Sequence, residues 1–297
     1  MPGTDADEAA RVVVGELPAL PHLVELPARG IGADIIGRAA ALLVDLAVEV
    51  VPTGYRVTSR RGHDHRRAMD LLRRDLDGLH EAVERAGSAP RAVKIQVAGP
   101  WTLTAGVELA RGHRVLTDPG ALREFAESLG EGIARQADEV AKRIGVPVVV
   151  QLDEPTLPTV LAGGLSTPSG YGTVAAPERL VAEDVLRSVV DVARSVTGQP
   201  VIVHCCAPRP PVGLLRAAGA DALGLDGTLL RGSPVRVIDE LGEILDARAT
   251  LFLGLVPSVE PTEGLSLHDA ALPALELVDR LSFDRALLAT QVVPTPT

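Results

Sequence analysis

Pro200-Val201-Ile202-Val203-His204-Cys205-Cys206-Ala207 is an aliphatic run that ends in metal-ligating side chains. A β-strand alternates its side chains with period two, so His204 and Cys206 face one side and Cys205 the other. The pair therefore aims a nitrogen and a sulfur donor at one point. A second aliphatic run, Ala222-Leu223-Gly224-Leu225, ends in Asp226, where a neighbouring strand would end. A mixed nitrogen, sulfur and oxygen set suits zinc best, which makes His204, Cys206 and Asp226 the candidate metal ligands. The plainer reading of the cysteines is as small apolar core residues.

Working outward, short aliphatic runs alternate with long amphipathic segments along the whole chain. Strands are expected near His22-Leu26, Val93-Ala98, Val146-Leu152, Val201-Cys205, Ala222-Leu225, Thr250-Val256 and Leu287-Val293. Helices are expected over Asp5-Glu16, Ala33-Val50, Arg66-Ala86, Pro119-Ile144, Ala176-Thr197, Pro211-Ala218, Val235-Arg248 and Leu267-Arg280. This order is that of repeated β-α units around a parallel sheet, and it predicts an α/β fold, a TIM (β/α)8-type barrel forming one domain over residues 1–297. The chain opens on a helix start at Thr4-Asp5 and closes on Pro294-Thr295-Pro296-Thr297. The expectation is a barrel lacking its first strand and the segment after its last strand, as if trimmed from a longer parent.

Composition agrees with that fold. Of 297 residues 46% are hydrophobic and only 2% aromatic, so the core must be built of Ala, Leu and Val, the residues of buried parallel strands. The net charge of −10, from 29 basic and 39 acidic side chains, argues against nucleic acid or an anionic membrane as the main partner and favours a small molecule. The most apolar stretch, Ala39 to Val51, is interrupted by Asp45 and Glu49 and is too short to span a bilayer. The polar N-terminus has no signal-peptide pattern, and two adjacent cysteines suit a reducing cytoplasm.

Active sites of parallel barrels sit at the C-terminal ends of the strands. Gln151 and Asp153 share a face in Val149-Val150-Gln151-Leu152-Asp153-Glu154-Pro155, which points to substrate binding, although Asp-Glu-Pro also suits a turn or cap. Trp101, in Gly99-Pro100-Trp101-Thr102, lies at a β-to-α turn as a flat platform for a ligand or as packing for the barrel mouth. His63 and His65 have the spacing of a metal clip, but within a charged, loop-like segment.

Together, Asp153-Glu154-Pro155, Gly99-Pro100-Trp101-Thr102 and His204-x-Cys206 followed by a carboxylate at the next strand end resemble the catalytic barrel of cobalamin-independent methionine synthase. That barrel shares a superfamily with uroporphyrinogen decarboxylase. The resemblance implies a zinc-dependent S-methyltransferase of methionine biosynthesis, moving a methyl group from methyltetrahydrofolate or a methylcorrinoid carrier to a zinc-bound thiol such as homocysteine. It implies zinc on His204, Cys206 and Asp226, where the family has Glu. A fourth ligand, a Cys, has no counterpart in this chain. It further implies Asp153 on the substrate ammonium group and Glu260, by position, as the acid that protonates the leaving nitrogen. Two other readings compete: a uroporphyrinogen decarboxylase-like lyase, and a zinc- or thiol-binding barrel without catalysis.

Overall fold

The computed structural model describes residues 1–167, 169–258 and 264–297. Six parallel strands form the central sheet: β3 (Val93–Ala98), β5 (Val148–Asp153), β6 (Val201–Cys205), β7 (Ala222–Asp226), β8 (Thr250–Val256) and β9 (Val292–Pro296), adjacent in that order. The sheet curls into an open half-barrel, an α/β TIM-like arrangement with helices on its outer face. Between the strands run α4 (Pro100–Gly106), α5 (Pro119–Ile144), α6 (Leu157–Leu161), α7 (Arg179–Thr197), α8 (Val212–Ala217), α9 (Val235–Asp246), α10 (Leu267–Arg280) and α11 (Leu288–Gln291). Before β3 come α1 (Ala6–Glu16), α2 (Ile35–Leu42) and α3 (His63–Ala86), with a hairpin of β1 (Ala47–Val51) and β2 (Gly54–Thr58). Strand β2 also pairs with the two-residue β4 (Val107–Glu108).

The strands expected near Val93-Ala98, Val146-Leu152, Val201-Cys205, Ala222-Leu225 and Thr250-Val256 form within two residues of those bounds, and residues 119–144 and 267–280 are helical to the predicted boundary. Asp118 caps α5 by accepting from the backbone N–H groups of Gly120 and Ala121, and Gly145 closes it in the left-handed conformation.

Four expectations need correction. The strand expected over Leu287-Val293 begins only at Val292, because residues 288–291 form the short helix α11. The strand expected over His22-Leu26 is reduced to one parallel bridge, His22 to Lys94. The helix expected over Ala33-Val50 ends at Leu42. Asp45 takes a φ of 59°, and Val48, Val50 and Val51 then enter β1, where branched side chains pack well. Finally, His63 and His65 lie in the first turn of α3 rather than in a loop, with His65 buried and His63 exposed.

Candidate functional site

Register fixes which side chains share the concave face. Gln96 pairs with Gln151, Asp153 with His204, and His204 with Gly224 in successive strands. With period two, Lys94, Gln151, Asp153 and His204 form one polar stripe across the interior. The stripe is bonded end to end. Lys94 Nζ donates to Gln151 Oε1 at 2.6 Å, Gln151 Nε2 donates to Asp153 Oδ1 at 2.7 Å, and His204 Nδ1 lies 2.8 Å from the same oxygen. Both bonds to Asp153 fall on Oδ1, which leaves Oδ2 for a ligand. Gly224 gives the imidazole its room, since a Cβ there would come within 3.0 Å of the ring.

Burial by itself would lower the pKa of His204. The hydrogen bond to Asp153, with Cys206 within hydrogen-bonding reach of the ring, overcomes it and pushes the value up to about 9. Cys205 faces away and is fully buried. Burial raises its thiol to about 12, which makes it an inert core residue. The Cys206 thiol is partly exposed.

Two expected site residues stand at the expected strand ends but have partners of their own. Trp101 is fully buried, and its indole N–H donates to the Ala182 carbonyl at 2.9 Å, so it packs α4 against α7 and offers no platform. Asp226 spends Oδ1 on Thr228, accepting from its backbone N–H at 2.9 Å and from its hydroxyl at 2.6 Å. This local cap competes with ligation. Among the described residues no group of three or more His, Cys, Asp or Glu could hold a metal ion. Among the described residues the donors brought within reach of each other are His204 and Cys206, fewer than the three protein ligands of a catalytic zinc site. Glu260 lies outside the described residues.

Three residues that the sequence reading passed over complete the interior. Lys94 anchors the stripe, and burial lowers its pKa while Asp153 and Glu25 oppose the change. For Glu25 burial raises the pKa, with Arg38 opposing and Asp153 adding to it. Glu154 points the other way along the strand end. It is fully buried and accepts from the backbone N–H groups of Trp101 and Thr102, at 2.9 and 2.8 Å, and from the Thr102 hydroxyl. A charged residue next to a strand-end Asp was the available signal for Glu154. An isolated Lys in the strand Val93–Ala98 was the signal for Lys94, because an otherwise apolar strand seldom spends an inward position on a cation.

The sequence profile described as "Cobalamin-independent synthase, Catalytic domain" matches residues 1–262. The chain belongs to this family. A methyltransferase from Methanosarcina mazei has a similar structure with a TM-score of 0.56 and 14% identity, over 99% of this chain and 80% of that one. A B12-independent methionine synthase from Shewanella sp. W3-18-1, in complex with selenomethionine, aligns with a TM-score of 0.49 and 11% identity, over 84% of this chain and 66% of that one. The chain thus spans just under two thirds of that synthase. Among curated proteins nothing matches. At 14% identity the likeness to the Methanosarcina mazei methyltransferase speaks to the fold alone, and the synthase family is carried by the profile. No described helix is long and apolar enough to cross a membrane.

Proposed function

We propose that this member of the synthase family transfers a methyl group to the sulfur of a small thiol such as homocysteine, in methionine synthesis, from a folate or corrinoid donor. The observation that carries the reading is the Asp153–His204 pair, 2.8 Å apart at adjacent strand ends of a barrel whose profile match is to a synthase catalytic domain. Asp153 Oδ2 accepts from the ammonium group of the thiol substrate. His204, oriented by Asp153, faces the reacting sulfur beside Cys206 and stabilises its thiolate, the nucleophilic form. Gln151 holds the Asp153 carboxylate in place. Glu260 is proposed by position alone as the acid for the leaving group.

Zinc, if bound, needs donors beyond His204 and Cys206. Stoichiometric zinc in the purified protein that disappears in Cys206→Ser would establish it. The incomplete donor set supports a second reading, a thiol-binding barrel without turnover.

The test is formation of the methylated thiol, followed by mass spectrometry, from homocysteine with methyltetrahydrofolate or methylcobalamin, with and without added zinc. The expected result is transfer with one donor, reduced about 100-fold in Asp153→Asn. Homocysteine binding with no transfer from either donor would favour the second reading. No binding and no transfer would overturn both.

A further inference from the structure

Lys94 starts the polar stripe of the interior, and the proposed chemistry gives it no task. Its backbone is held by the segment before α2, where its N–H donates to the Pro21 carbonyl at 2.9 Å and its carbonyl accepts from the Leu23 N–H at 2.9 Å. In register it faces Val149, yet its side chain reaches two residues further along β5 and donates to Gln151 Oε1 at 2.6 Å. Lys94 thus meets the Asp153–His204 pair through Gln151.

The chain of bonds has a direction. An ammonium group only donates, and a carboxylate oxygen only accepts. Between two such ends the Gln151 amide has one workable orientation, with Oε1 toward Lys94 and Nε2 toward Asp153 Oδ1 at 2.7 Å. Turned over, it would set donor against donor at Lys94 and acceptor against acceptor at Asp153. The constraint runs on to His204, whose Nδ1 lies 2.8 Å from the same oxygen and must carry the hydrogen of that bond. Nε2 is then the ring atom left for a ligand. Gln96, paired with Gln151 in register, is committed elsewhere, since its Nε2 donates to the Leu23 carbonyl at 2.6 Å. Burial weighs against the charge of Lys94, while Asp153 and Glu25 support it.

We propose that Lys94 is a positioning residue for the methyl transfer, acting through Gln151: it sets the direction of the hydrogen-bond chain that leaves Asp153 Oδ2 open to the substrate ammonium group and His204 Nε2 open to the reacting sulfur. The assignment rests on the methyl-transfer reading of this site, with an amino-acid thiol as acceptor. It makes the ammonium group the part of the substrate that senses Lys94.

Two measurements on the full chain test it. The first needs no substrate: the side-chain amide resonances of Gln151, identified in nitrogen–proton spectra by their loss in Gln151→Leu, should shift in Lys94→Met. Unchanged resonances would overturn the proposal whatever the protein catalyses. The second is calorimetry with homocysteine and with γ-mercaptobutyrate, which lacks the ammonium group. Lys94→Met and Gln151→Glu should each weaken homocysteine binding at least tenfold and γ-mercaptobutyrate binding less than threefold, because Glu accepts from Lys94 but offers Asp153 no donor. Gln151→Glu carries the test if Lys94→Met fails to fold. In a Gln151→Leu background, Lys94→Met should cost less than a further twofold, as expected of residues that act in series. A full additional loss there would mean that Lys94 bypasses Gln151, and equal losses for the two thiols would mean general damage to the barrel. Either result overturns the proposal. A wild type that fails to bind homocysteine, while the Gln151 resonances shift as expected, would instead overturn the methyl-transfer reading and leave the coupling of Lys94 to Gln151 standing.

Discussion

His22 shares its parallel bridge with Lys94, and that neighbour bears on its charge. Burial, followed by repulsion from Lys94, lowers the His22 pKa to about 4, while its ring donates from Nδ1 to the Leu23 carbonyl at 3.1 Å. In the unfolded chain the same ring takes its proton near pH 6.5. Between those values the unfolded state holds more protons, so stability falls as the pH drops from about 6.5 and the loss is complete below about 4. Urea unfolding of the wild type and of His22→Asn at pH 7 and pH 4.5 checks this. The wild type should lose more stability than the variant on acidification, and equal losses would contradict the assignment. At this scale the sequence was legible wherever strand period alone fixed direction. It put Gln151, Asp153, His204 and Cys206 on one face and turned Cys205 into the core. It left open whether Trp101 packs or faces a ligand and gave no sign of the local cap on Asp226, because these depend on the Ala182 carbonyl of a distant helix and on a two-residue turn.

Elements were legible where a repeat of hydrophobicity ran long enough to dominate, as in α5 and α10. The β1–β2 hairpin was not, because its apolar run, Ala39 to Val51, reads as a helix until Asp45 breaks it with a positive φ. Helix α4 was hidden for another reason: its N-terminal cap comes from outside the helix. Glu154 reaches back from the end of β5 to accept from Trp101 and Thr102, and Gly99 must lack a side chain because a Cβ would collide with that carboxyl. Burial pushes Glu154 up to about 7 while these donors hold it down. Glu154→Ala leaves two backbone N–H groups and a hydroxyl buried without an acceptor, and a loss on the order of 3 kcal/mol is expected. Denaturant unfolding measures it. A loss below about 0.5 kcal/mol would mean that α4 is capped without Glu154.

Across the whole molecule the helical layer is joined to the barrel interior by charge as well as by apolar packing. Asp75 of α3 is fully buried and pairs with Arg29 at 2.7 Å and with Arg38 of α2 at 2.5 Å. Arg38 continues to Glu25 at 3.1 Å, and Glu25 lies near Lys94 and Asp153 of the strand-end stripe. Short aliphatic runs alternating with amphipathic segments made the barrel legible, but such a network joins residues far apart in sequence and leaves no periodic trace. Its energetics are asymmetric. Removing one member strands the others in a dry interior, whereas removing all of them restores ordinary packing. Asp75→Asn leaves two buried guanidinium groups facing an amide and should cost about 3–5 kcal/mol, whereas the combined Arg29→Met, Arg38→Met and Asp75→Leu variant should recover most of that loss. Equilibrium unfolding of the two variants side by side decides the matter. If the triple variant is as unstable as Asp75→Asn, the charges themselves hold α2 and α3 against the barrel, and apolar packing does not.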